Sequence, residues 1–272
     1  LNRIYRRRSV IGNLYGFLYS VIVTIAPMLV VLGAVMLIQY LLGFSNVGYA
    51  ARKLFSCTVL YIFIFSFLVV SPFTPVLSKF LSDTLYEERY GDVLPSFYMG
   101  LLLSVILGCC LGIPFCLHEY FVGEVPLYYV FTSFCGYISL LMAVYSMSFL
   151  SISKDYKRVS VIYILSMALA VILSLVFSRA TGMERTYSAL LALTLGFLLI
   201  AVLEYGYVRK FFPENSGNYR RMFRCFRKYW KLVFINSLYV LGLYVHNFVF
   251  WTTDLRTVVV KSFVCNQPYD MA

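Results

Sequence analysis

Seven stretches of this 272-residue chain contain no Asp, Glu, Lys or Arg, and they constrain the fold more than any other feature. They lie between Arg8 and Arg52, Lys53 and Lys79, Asp92 and Glu119, Glu124 and Lys154, Arg158 and Arg179, Arg185 and Glu204, and Lys231 and Asp254, and hold 43, 25, 26, 29, 20, 18 and 22 residues. A helix needs about 20 residues to cross about 30 Å of hydrocarbon, so each run has room for a crossing. Backbone amides in lipid find no water and must close their hydrogen bonds within the segment, which an apolar run achieves as a helix. Barrel strands would alternate over about ten residues. Residues 21–38 are instead apolar throughout, apart from Thr24, Pro27 and Gly33. The spacing predicts helices over 16–44, 54–78, 97–117, 127–150, 159–177, 187–207 and 232–252, although the first run is also long enough for two short segments. The fold class is all-α, a polytopic transmembrane helix bundle with seven spans.

Composition supports this reading, with 61% hydrophobic and 13% charged residues against about 45–50% and 25% in soluble domains. A soluble enzyme is excluded. The net charge of +11 would suit nucleic acid by counterion release, but its location argues for a membrane. With the N-terminus inside, 17 Lys and Arg fall on the inner side and six on the outer, which places the N-terminus in the cytoplasm by the positive-inside rule. Arg52 and Lys53 are the awkward outer pair. No cleavable signal is expected, since the first uncharged run is far longer than a signal core. The chain starts at Leu1 and stops soon after the seventh run, so it reads as part of a longer polypeptide. Three units are expected: a first lobe of six spans (1–210), a cytoplasmic basic interfacial helix (211–231), and a seventh span with an outer loop that opens a second lobe (232–272).

Chemistry-bearing motifs are few. No GxxxxGK[ST] loop is present to cradle a nucleotide, and neither HExxH nor GxSxG occurs. Seven cysteines, mostly within apolar runs, act as small hydrophobes, and their odd number argues against a complete disulfide framework. Cys109, Cys110, Cys116 and His118 have the right chemistry for zinc, but no second ligand pair accompanies them. No metal, no cofactor and no catalytic residue is therefore assigned. An acyltransferase using His118 or His246 as base is the weaker alternative, since His246 has no carboxylate close in sequence to orient it.

The candidate path lies in three runs. Thr24 accompanies Pro27 in the first. Pro72 and Pro75 remove backbone donors near the end of the second, freeing carbonyls that a cavity or neighbour must satisfy. There Ser71, Thr74 and Ser78, at helical spacing, form a weakly polar stripe, facing either a wet lumen or a neighbouring helix. The seventh run carries Asn236, Tyr239, Tyr244, His246, Asn247 and Trp251, the densest set of hydrogen-bonding side chains in any span. Polar groups are costly in lipid and should face the bundle interior, and aromatic rings suit the faces of sugars. An outer aromatic belt is the competing reading for Trp251. The first six spans hold almost no internal charge.

The inner loop 82–97 (SDTLYEERYGDVLPSF) places Asp83, Glu87, Glu88, Arg89 and Asp92 together, with Ser82 or Asp83 as expected helix N-cap. Its carboxylates suit a latch onto basic residues elsewhere on the inner face, or simple solvation. Residues 219–231 (YRRMFRCFRKYWK), at about 100° per residue, align Arg220, Arg224, Arg227 and Lys231, with Arg221 and Lys228 beside them and Met222, Phe226 and Tyr229 opposite. This is an interfacial helix with its apolar face expected in the headgroup boundary and its cations toward anionic membrane lipid or an acidic partner. Nucleic acid is not an expected partner.

Three stretches resemble the PelG family of exopolysaccharide export proteins, within the flippase superfamily that includes multidrug and lipid-linked oligosaccharide transporters. They are GNLYGFLYSVIVTIAPMLV with Ala26 and Pro27, LSKFLSDTLYEERYGDVLPSF over 77–97, and LGLYVHNFVFW over 241–251. The family pattern usually carries an Asp-Lys pair where this chain has His246 and Asn247. The resemblance runs nearly end to end. It implies a two-lobe transporter of about twelve spans, of which this chain supplies the first lobe and one further span. It implies export of an amino-sugar-rich polysaccharide, through a bacterial inner membrane, in a complex with a cytoplasmic glycosyltransferase and membrane regulators responsive to cyclic di-GMP. A lipid-linked oligosaccharide flippase with alternating access is the alternative.

Overall fold

The computed structural model describes residues 10–152, 156–254 and 256–266; the side chains of 10–24, 152, 156 and 260 fall outside the description. Among the described residues, nine α-helices run in order: α1 (Val10–Leu41), α2 (Tyr49–Val70), α3 (Thr74–Tyr86), α4 (Val93–Phe121), α5 (Leu127–Ile152), α6 (Tyr156–Ala180), α7 (Arg185–Phe211), α8 (Tyr219–Lys228) and α9 (Trp230–Thr252). A small antiparallel hairpin, β1 (Thr257–Val259) with β2 (Phe263–Cys265), pairs Val258 with Val264. Among the described residues, six helices are long and apolar enough to cross a membrane, namely α2, α4, α5, α6, α7 and α9. α1 spans 32 residues with Pro27 inside it and contributes a shorter described apolar portion, Ile25–Leu41.

α5 and α7 form the centre, packed on each other, with α6 against α7, α1 against α6, and α2 and α4 against α5. Close contact between α4 and α5 depends on Gly100, where a Cβ would fall 2.1 Å from the Tyr145 hydroxyl. Its absence lets Tyr145 cross the α4 backbone, donate to the Phe97 carbonyl at 3.2 Å and bury its ring. α9 lies along α2 and α3 and is covered on one side only. One end of the bundle carries the linker before α8, the other the hairpin; these are called the linker end and the hairpin end.

Helix boundaries depart furthest from the sequence expectation around the second run. The second predicted helix, 54–78, is two helices separated by a turn over 71–73, because Pro72 and Pro75 cannot donate to the carbonyls four residues back. It also starts earlier, at Tyr49, which takes Arg52 and Lys53 into the first turns; the Lys53 ammonium lies 4.7 Å from the centre of the Tyr49 ring. Ser82 and Asp83 are interior to α3 rather than N-caps, and Asp92 occupies the N-cap position of α4.

The proline break explains how the last long helix is held. Pro72 leaves the Leu68 carbonyl without its helical donor, and Ser71 Oγ donates to it at 2.8 Å. Pro75 does the same to the Ser71 carbonyl, and Asn236 Nδ2 of α9 donates to that one at 2.7 Å. Asn236→Leu would orphan a buried acceptor and is expected to cost about 1–3 kcal/mol of stability, read as a lowered unfolding midpoint in detergent. Pro75→Ala returns an N–H to the helix, so the Asn236→Leu cost should shrink in the double variant. An equal cost in both backgrounds would refute the link between Asn236 and the proline break.

Candidate functional site

The polar residues of α9 divide by face. Asn236, Val240, Tyr244, Asn247 and Trp251 recur at three- and four-residue steps and form the stripe turned to the lobe. Asn247 is the buried residue of α9, 5% exposed, while Tyr244, His246 and Trp251 are half-buried. Tyr239, at 65% exposure, points away from the lobe. Thr24 lies in α1, where side chains fall outside the description. Ser71 and Thr74 spend their hydroxyls on the carbonyls of Leu68 and Val70, at 2.8 and 3.3 Å, and Ser78 is half-buried. At this break the polar stripe of the second run therefore satisfies its own backbone, and it is the Ser71 carbonyl that meets α9.

Toward the hairpin end, the seam becomes aromatic. Trp251 of α9 lies 4.7 Å from Tyr61 of α2 between ring centres, and Phe248 6.2 Å from Phe65. Tyr61 also stacks on Phe263 of β2 at 5.5 Å. Its hydroxyl donates to the Val264 carbonyl and accepts the Val264 N–H at 3.2 Å, so one side chain grips both polar groups of a strand residue. Glu119 at the end of α4 accepts from the Ser262 hydroxyl and lies 3.2 Å from His118 Nδ1. Lys261 pairs with Glu124. Sequence reading singled out neither Tyr61 nor Phe263; each is one aromatic among 48 Tyr and Phe, and no local signal marks it.

At the linker end, Asp92 is the hub. It is buried, accepts from Ser216 Oγ at 2.6 Å, and pairs with Arg89 at 3.2 Å and with Arg221 of α8. Pro95 cannot reach back to the Gly91 carbonyl, which takes the Ser216 N–H at 2.8 Å instead. The acidic loop thus engages a basic residue of α8, but the residue is Arg221. Arg220, Arg224, Arg227 and Lys231 are exposed. Asp83 pairs with Lys79 at 2.7 Å and, through that hydrogen bond, holds the ammonium above its ordinary pKa; Glu87 pairs with Arg89 at 2.5 Å, and Glu88 sits at φ 57°. Part of the apolar face of α8 meets protein. Met222 is buried in the core and Phe226 packs 5.7 Å from Phe73, because the break at Phe73 offers a protein surface to cover.

Charge inside the bundle exceeds the expectation. Lys53, Asp92, Glu119 and Glu204 are all buried, and neither Glu204 oxygen has a hydrogen-bond partner among the described residues. None belongs to the lobe-facing stripe of α9. Among the described residues no group of three or more His, Cys, Asp and Glu comes together as a metal site would require.

No curated protein and no solved structure matches the chain. A family match does cover it, over residues 1–272, to PelG, described as "Putative exopolysaccharide Exporter (EPS-E)". With six helices fit to span a membrane and a match along its whole length, the chain is a multi-pass membrane protein that belongs to the PelG family of exopolysaccharide exporters.

Proposed function

We propose that the chain forms the first lobe of an exporter together with the helix that opens its second lobe, and that a neutral, N-acetylated amino-sugar polymer of the Pel type passes outward along the seam beside α9. The observation that carries this reading is the stripe Asn236, Tyr244, Asn247 and Trp251, which turns hydrogen-bonding and aromatic groups toward α2 while the opposite side of α9 is exposed and apolar. Aromatic faces with polar edges suit sugar rings, and this stripe includes no charged residue that a neutral chain would have to pass. Ser78 and His246 flank the path; Ser71 and Thr74 frame the break beside it. The excess of Lys and Arg, 17 against six, supports an N-terminus in the cytoplasm, and the family supports an inner membrane. No chemistry on the sugar is part of this function.

The exposed Arg220, Arg224, Arg227 and Lys231, with Asp83, Glu87 and Glu88 nearby in the fold's linker end, supply the docking face for a cytoplasmic glycosyltransferase and for membrane regulators responsive to cyclic di-GMP. Arg221 has a different role, since Asp92 holds it.

Replacing both Tyr244 and Asn247 with Leu should abolish polymer secretion while leaving membrane insertion intact; normal secretion by that double variant, measured on secreted polysaccharide, would discard the seam as the path. Neutralising Arg220, Arg224 and Arg227 to Gln should reduce co-purification of the partners, and added salt should reproduce the effect on the unmodified protein. Arg221→Gln is expected to lower the unfolding midpoint instead. Undiminished partner recovery from the triple variant would assign the three cations to lipid anchoring.

A further inference from the structure

Between α2, α4 and α5, in the hairpin half of the lobe, lies a cavity of about 270 Å³ walled by Tyr61, Phe65, Phe115, Phe134 and Tyr137, with Phe263 of the hairpin against it. Every hydroxyl on the wall is spent or sealed. Thr58 donates to the Leu54 carbonyl at 2.8 Å, Ser133 to the Tyr129 carbonyl at 2.8 Å, and Tyr61 to Val264. The Tyr137 hydroxyl has no partner but is itself buried. A sugar brought here would give up its hydrogen bonds to water and find few in return on this lining, whereas a hydrocarbon loses nothing. The cavity is larger than the apolar void of about 150 Å³ that accepts benzene in another protein.

Its surroundings indicate where such a chain comes from. Leu111 on the wall is 52% exposed, and Ile113 and Leu117 of α4 and Phe131 of α5 are exposed around it, an apolar surface that a spanning bundle turns to lipid. Gly112 lets the two α5 rings of the wall lie close against α4: a Cβ there would sit 2.9 Å from the Tyr137 ring and 3.0 Å from Phe134, forcing both rings to shift. We propose that this cavity holds one hydrocarbon chain of a membrane lipid, inserted sideways between α4 and α5 with its end near Phe263. The chain supports the hairpin from beneath, while Tyr61 and Glu119 hold it through hydrogen bonds. This site adjoins the proposed polymer path, with which it shares Tyr61 and Phe65, but the α4 and α5 wall that completes it is apolar.

The test places the full chain in membranes containing a phosphatidylcholine with a photoactivatable diazirine at one chain end and maps the labelled residues by mass spectrometry. Labels are expected to concentrate on 111–116 and 133–137, several-fold above exposed Ile172 and Leu203, and to fall several-fold there in Cys116→Phe, which fills the cavity. Equal labelling of the cavity and of Ile172 and Leu203 in the unmodified protein overturns the proposal, whatever the variant does. So does labelling of 111–116 by a soluble oligosaccharide carrying the same diazirine, and so does an undiminished signal in a folded Cys116→Phe protein.

Discussion

A carbonyl that a proline has deprived of its helical donor must find another inside a bundle where water is scarce, and the linker end is organised around that need. Three such carbonyls occur within 24 residues, at Leu68, Ser71 and Gly91. The first is answered locally by Ser71, the second by Asn236 of α9, and the third by the Ser216 backbone in the linker. Two of the three donors come from residues more than 120 positions further on. Prolines placed in one third of the chain therefore specify where the last third attaches, and they do so through groups whose unsatisfied burial would be expensive.

The same end illustrates how charge follows backbone. Once Ser216 is fixed on Gly91, its hydroxyl reaches Asp92 and the start of α8 brings Arg221 to the same carboxylate. A buried carboxylate with two arginines and a hydroxyl around it is tolerable where an isolated one would not be. With Arg221 directed at the lobe, helical geometry leaves Arg220, Arg224 and Arg227 facing outward, and Met222 facing in. The cationic face of α8 is exposed because part of its apolar face meets protein, at Phe73, a residue that the proline break itself presents.

Much of the architecture was legible because the cost of burying charge in lipid leaves a coarse mark on the sequence. The uncharged runs located the long helices, and the donors lost at Pro72 and Pro75 were visible, though not that they would divide the helix in two. What could not be read was the partner of each freed group. Asn236 stood out as polar in an apolar run, but its acceptor is a backbone carbonyl, which has no side-chain identity to search for. Arg221 stood among six neighbouring cations, and only the position of Asp92 separates it from the others. Lys53, awkward for topology, has the Tyr49 ring beside its ammonium four residues earlier on the same helix, a contact with no counterpart in the charge count. Tyr61 has no distinguishing context at all, since its role is defined by a strand some 200 residues away.

The two ends of α9 are attached by different chemistry. Near its start a hydrogen bond from Asn236 ties the helix to backbone, a contact that depends on direction as well as distance. Near its end Trp251 meets the ring of Tyr61, and because Tyr61 also stacks on Phe263 and bonds Val264, the helix and the hairpin share one support on α2. The seam therefore changes character along its length, from a polar group answering a proline-freed carbonyl at the linker end to packed aromatic rings at the hairpin end.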